Sequence, residues 1–220
     1  GHSLSVVAVE AVQNANDNDL LLLSPSIGTD VLSGIDDNLV RLVSTVYYEA
    51  TVISEHIQEE SPNKVMVIHN EDNIVLTQYQ KNAFVDYFES VGFTENNIII
   101  GTFFSNNDSE INAIKDMILT EQPDAIMIAS SNTDAAPFIN YIKSLDYDIS
   151  IHLTSWAGTS IINRIDSVDT NNIYIYNDFV TENEGTDYQT YKTTFESLYA
   201  QAPDMLSTNG YDAVYLIYEA

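Results

Sequence analysis

Short unbroken apolar runs alternate along this chain with stretches whose apolar side chains recur every three or four positions. Such alternation is the mark of buried strands and amphipathic helices in turn. Leu4, Val7, Ala8, Ala11, Val12 and Ala15 have helical spacing, and 16–19 (NDND) reads as the helix end and a turn. The run 20–23 (LLLL) reads as a buried strand opening into the polar loop Ser24-Pro25-Ser26-Ile27-Gly28-Thr29. Val46, Ala50, Ile53 and Ile57 mark a helix that ends before Ser61-Pro62. Strands are then expected at 64–69 (KVMVIH), 97–103 (NIIIGTF), 125–129 (AIMIA), 150–154 (SIHLT) and 172–176 (NIYIY).

Helices fill the gaps. Leu76, Ala83, Phe84, Phe88 and Val91 trace one face, and Gly92 stops it. Asn107 and the residues after it look like a capped start for Ile111, Ile114 and Ile118. Asn132 or Thr133 is expected to cap the helix carrying Phe138, Ile139 and Ile142. Residues 158–165 suggest a short helix, and two more carry Tyr188, Tyr191 and Phe195, then Tyr211, Val214 and Tyr218. Apolar strands separated by amphipathic helices imply an α/β fold, a doubly wound parallel sheet covered on both faces. Residues 46–177 form a self-contained set of βα repeats, and the polar stretch 178–187 suits a crossing between lobes.

The 220 residues suffice for one large or two small domains, and 45% hydrophobic content fits a globular chain. Charge is the outlier: 7 Lys and Arg against 33 Asp and Glu give a net charge of −26. Such a surface repels phosphate backbones and anionic lipid, so nucleic-acid and membrane-surface partners are not expected. There is no cysteine, hence no disulfide or thiolate chemistry. No run is long enough to span a membrane. The chain opens almost directly on a helical pattern, so an opening strand is expected upstream of Gly1.

Motifs for catalysis and cofactors are lacking. Neither GxGxxG nor GxxxxGK[ST] occurs, nor GxSxG or HExxH. His69 and His152 fall near strand ends and could line a cleft, but partly buried, hydrogen-bonded imidazoles are the better reading. The acidic pairs Asp36-Asp37, Glu71-Asp72 and Asp166/Asp169 lack calcium-loop spacing and read as solvated surface. No cofactor, metal or catalytic residue is therefore expected.

Several strings occur in a telling order: GHxxS at 1–5, LxxxSPS at 20–26, Arg41, KVMVIHN at 64–70, DAIMIASS at 124–131, LTSW at 153–156 and GYDAVYLI at 210–217. Together they resemble the type I periplasmic binding proteins, in particular the leucine/isoleucine/valine-binding branch of ABC-importer substrate-binding proteins. The resemblance covers the whole chain. It implies two doubly wound lobes joined by several crossings, with ligand captured between them by hinge closure. On that reading the chain is a fragment holding one complete lobe, residues 46–177, plus part of a second, residues 1–45 and 178–220.

The resemblance also implies a set of ligand-binding residues. Ser5 falls where the family offers a hydroxyl to the ligand carboxylate, which suits a helix start. Ser24 ends the strand before the loop. Ser26 falls where backbone groups hold the ligand's carboxylate and ammonium. Gly28 stands where a threonine is expected, and Thr29 is a substitute. Ile74 and Ser131 stand where aromatics are common. Ser155, beside Trp156, occupies the region where an acidic residue meets the ammonium. Asp134 is a nearby carboxylate that could take that role, although stabilising a helix start also accounts for it. Trp156, the single tryptophan, suits a stacking wall or the core.

The function so implied is solute binding without catalysis, for a small polar ligand such as an amino acid or related carboxylate. ABC-transporter membrane subunits are the expected partner. The location is periplasmic or extracellular, with lipid anchoring through sequence upstream of Gly1 as one mode of attachment. A ligand-sensing domain of a signalling receptor shares the fold and stays open at this point. An α/β enzyme would require a nucleophile–base pair or cofactor loop.

Overall fold

The computed structural model describes residues 5–145, 147–166, 170–178 and 183–219. The order of elements is α1 (Ser5–Asp17), β1 (Leu22–Ser24), β2 (Leu39–Arg41), α2 (Val46–Glu59), β3 (Val65–Asn70), α3 (Ile74–Ser90) and β4 (Ile98–Phe103). There follow α4 (Asp108–Glu121), β5 (Ala125–Ala129), α5 (Asn132–Lys143), β6 (Ser150–Leu153), β7 (Ile173–Ile175), α6 (Thr186–Tyr199) and α7 (Met205–Glu219). Short 3₁₀ turns occupy Asp30–Leu32, Glu71–Asn73 and Thr159–Arg164. The last is the short helix expected at 158–165, in 3₁₀ form. The expected crossing at 178–187 lies partly outside the described residues.

Two compact units result. The larger comprises Gly28–Ile35 and Thr45–Tyr176; the smaller comprises Gly1–Ile27, Asp36–Ser44 and Asn177–Ala220. Residues 28–35 thus pack with the larger unit, whereas the sequence reading assigned them with 1–45. Hydrogen bonds explain the difference. The Gly28 carbonyl accepts from Val46 N–H at 2.9 Å, and Asp30 accepts from Tyr47 N–H at 2.8 Å. Thr29 Oγ1 donates to the Val75 carbonyl at 2.6 Å.

The larger unit holds a five-stranded, all-parallel sheet in the order β4-β3-β5-β6-β7. Alternate residues of each strand feed opposite cores. Met66, Ile68, Ile126, Ile128, Ile151 and Leu153 pack with Ile114 and Ile118 of α4 and with Phe138 and Ile139 of α5. Val65, Val67, Ala125 and Met127 pack with Ala50, Ile53 and Ile57 of α2 and with Phe84 and Phe88 of α3. Every residue of β3, β5 and β6 is buried, as expected of central parallel strands. Gly101 in β4 permits the close approach of α4: a Cβ there would lie 3.0 Å from Met66 Cε and 3.2 Å from Ile114 Cγ1.

In the smaller unit β1 and β2 pair in parallel, with Leu22 opposite Leu39. Of the four leucines at 20–23, Leu22 and Leu23 join this ladder. Leu20 and Leu21 are 59% and 69% exposed rather than buried, a correction to the reading of 20–23. The reason is the turn that closes α1: Asp19 is left-handed and Leu20 N–H still reaches the Ala15 carbonyl, so both leucines lie in the connection. The strand β2 had no sequence signal. The α6 and α7 helices meet through Tyr191 and Tyr211, with ring centroids 4.6 Å apart.

Candidate functional site

Parallel α/β sheets bind ligands beyond the carboxyl ends of their strands, where successive connections leave toward opposite faces. In the larger unit that switch point is between β3 and β5. From β3 the chain enters α3, which covers one face; from β5 it enters α5, which covers the other. Asn70 closes β3 and Ser130-Ser131 follow β5, so polar side chains flank the crevice.

These groups form a hydrogen-bonded hub around Asp134. Ser131 caps α5 from an extended backbone, its Oγ accepting from Asp134 N–H at 3.3 Å. This corrects the expected cap: Asn132 turns away to donate to Ser160 Oγ at 2.8 Å. The Ser131 hydroxyl donates to Asp134 Oδ2 at 2.7 Å, and Ser105, just past β4, donates to the same oxygen at 3.1 Å. Asn70 Nδ2 donates to Ser105 Oγ at 2.8 Å and to Asp134 Oδ2 at 3.4 Å. Asp72 accepts from Ser105 N–H at 2.8 Å, and the hydrogen bonds of Ser105 hold its carboxyl below the usual range. Asp72 is exposed, as expected, yet it has a definite structural partner. Charge-assisted bonds of this kind fix side-chain geometry.

The other expected residues of this unit are dispersed. Ile74 opens α3 with its side chain exposed. Gly28 and Thr29 are buried; Thr29 caps the 3₁₀ turn and gives its hydroxyl to Val75, a structural use. Ser155 and half-buried Trp156 form the turn after β6. Ser155 N–H donates to Glu49 Oε1, and Ser155 Oγ donates to Glu49 Oε2 at 3.1 Å. Glu49, on α2, is buried and also accepts from Gln80 Nε2 at 3.5 Å. The Ser155-Trp156 turn, where the resemblance led an acidic residue to be expected, is thus tied to a carboxylate of α2.

In the smaller unit Ser5 is buried at the start of α1. Ser24 Oγ accepts from Ser26 N–H at 3.3 Å and Ile27 N–H at 3.1 Å, shaping the loop after β1. Asn209 of α7 donates to the Pro25 carbonyl at 3.2 Å.

His69 and His152 are core imidazoles. His69 Nε2 lies 3.0 Å from Thr102 Oγ1, and burial, aided by the Lys81 charge, lowers it to about 4. His152 Nε2 lies 3.1 Å from Ser150 Oγ and 3.6 Å from Glu60 Oε1, and its ring stacks on Tyr174. Burial, then the neighbouring His56, lowers it to about 3. Among the described residues no group of three or more His, Asp or Glu side chains is placed to hold a metal ion.

The residues missed at sequence level are Asn70, Ser105 and Glu49. Glu49 did leave a signal, since it falls within the stripe Val46, Ala50, Ile53 where an acid is out of place. Ser105 left none.

Comparison with known proteins adds the family. A profile described as periplasmic binding protein matches residues 2–220, and the chain belongs to that family. No curated protein sequence matches. Among solved structures, the leucine-binding protein LivK of Thermotoga maritima superposes with a TM-score of 0.85 at 14% identity, over 100% of this chain and 62% of that one. The branched-chain amino acid substrate-binding protein LivJ of Streptococcus pneumoniae, in complex with isoleucine, gives 0.84 at 20% identity, over 100% and 62%. A solute-binding protein of R. palustris in complex with benzoate gives 0.80 at 17%, over 95% and 57%. The chain thus spans about three fifths of the length of these structures, which share its type I periplasmic-binding-protein fold. Among the described residues no helix is long and apolar enough to cross a membrane.

Proposed function

We propose that this chain acts in an extracytoplasmic solute-binding protein of an ABC importer, capturing a small polar ligand, an amino acid or a related carboxylate. The observation that carries the reading is the polar hub of Asn70, Ser105, Ser131 and Asp134 at the switch point of the larger unit's sheet. Two carboxylates, Asp72 and Asp134, concentrate negative charge at that edge. An ammonium or another hydrogen-bond donor is the ligand group it favours.

Ser5 and Ser26 are assigned to the carboxylate end, where a helix start supplies N–H donors. Hinge closure on the ligand, as the resemblance implies, belongs to this reading. The chain binds and releases without bond making, and the importer's membrane subunits are its partner.

A thermal-shift panel of amino acids, small carboxylates, amides and sugars tests it. A ligand that binds only the native state raises the melting temperature by mass action. The expected result is a shift with amino acids or small carboxylates and none with sugars. A shift confined to sugars, or none with any member, overturns the proposal.

A further inference from the structure

Glu49 is only 2% exposed. A carboxylate in such surroundings persists when donors are fixed around it. Its donors converge from two directions: the backbone N–H and hydroxyl of Ser155 beyond β6, and Nε2 of Gln80 on α3. Backbone bonds also hold the turn: Thr154 N–H to Ile128 O at 3.3 Å, Ala157 N–H to Thr154 O at 3.0 Å and Gly158 N–H to Ser155 O at 3.1 Å. Glu49 is thus a side-chain clamp on Ser155, reaching it across 106 positions of sequence.

We propose that Glu49 is a positioning residue that fixes the turn 155–157 and, through it, presents Trp156 as a wall against the ligand. The inference rests on the solute-binding reading for the ligand, but the clamp itself stands on geometry. Glu49 sits in the first turn of α2, and the helix start favours its negative charge. Its two oxygens take two donors from one residue, Ser155, so the turn is held in orientation as well as in place. Removing the acid's two acceptor oxygens leaves the part-buried N–H and hydroxyl of Ser155 without this partner.

Trp156 is the single tryptophan, so emission and acrylamide quenching of the ligand-free full chain report on this turn directly. Glu49→Gln removes the charge and one acceptor oxygen at nearly constant volume. Ser155→Ala removes only the hydroxyl. Both are expected to red-shift emission and increase quenching, Glu49→Gln more than Ser155→Ala, with far-UV circular dichroism unchanged. Affinity for the probes L-isoleucine and benzoate, measured by calorimetry, is expected to fall on the order of tenfold in Glu49→Gln.

Unchanged emission and quenching in both variants overturn the clamp. Changed emission with undiminished probe affinity overturns its positioning role. If neither probe binds the unsubstituted chain, the solute-binding reading fails for these ligands, and the emission data alone decide the clamp. Should Glu49→Gln fail to fold, Ser155→Ala carries the same comparison.

Discussion

Val65, Met66, Val67 and Ile68 of the larger unit are fully removed from solvent, because helices cover both faces of their sheet. Val214, Ile217 and Tyr218 on α7 of the smaller unit are 69%, 63% and 83% exposed. Both regions carry strongly apolar patterns, so pattern alone did not decide burial. What differs is the layering among the described residues: five paired strands between four helices in one case, two three-residue strands with three helices in the other. Hydrophobic stabilisation follows area removed from water, and the larger unit therefore holds most of it.

The sharpest way to break that comparison is to truncate one large apolar side chain in each unit. Phe138→Ala, in the core between α5 and the sheet, is expected to cost about 3–5 kcal/mol. Ile217→Ala on α7 is expected to change stability by less than about 0.5 kcal/mol. Urea denaturation followed by Trp156 fluorescence reads the first, and far-UV circular dichroism reads both. Equal losses would mean that α7 contributes a buried face under native conditions.

Acid should distinguish the units next. His69 and His152, both in the larger unit, have folded pKa values lowered to about 4 and about 3, against 6.5 when free. Because the unfolded chain binds protons first, their contribution to stability is complete above pH 6.5. It is lost as pH falls toward their folded values. By pH 4.5 each is expected to have cost about 2.5 kcal/mol. Glu60, His56 and Tyr174 face His152, and Lys81 faces His69. Melts at pH 7.5 and 4.5 should show a smaller difference for His152→Gln than for the parent chain. An identical difference would remove His152 from the account.

The smallest effect concerns the hub. Ser131→Ala removes the cap of α5 and one donor to Asp134, at an expected cost of about 1 kcal/mol. Thermal denaturation monitored at Trp156 checks it. No loss would mean that solvent replaces both bonds.

Much of the larger unit was legible in the sequence. The β5 strand matches its expected bounds residue for residue, and Asn107 caps α4 as read, accepting from Glu110 N–H at 3.4 Å. Those signals are local: apolar runs, helical spacing and one cap. The candidate site was legible in part. Asp134 and Ser131 were picked out, but their partners Asn70 and Ser105 come from other strand ends, and only the sheet order brings them together. Thr29, picked out as facing a ligand, gives its hydroxyl to a backbone carbonyl 46 positions away, a contact that no local pattern announces. The smaller unit was read least well. Its β2 strand has three residues and no distinctive pattern, and the leucine run began two residues before the strand did.

The most direct test of the central claim is hydrogen–deuterium exchange of the full chain, with and without the member of the ligand panel that gives the largest thermal shift. The account predicts new protection concentrated at 70–73, 105, 131–134 and 154–156 of the larger unit, with its strand interiors unchanged. Protection confined to other segments, or a panel in which no amino acid or small carboxylate binds, would contradict it.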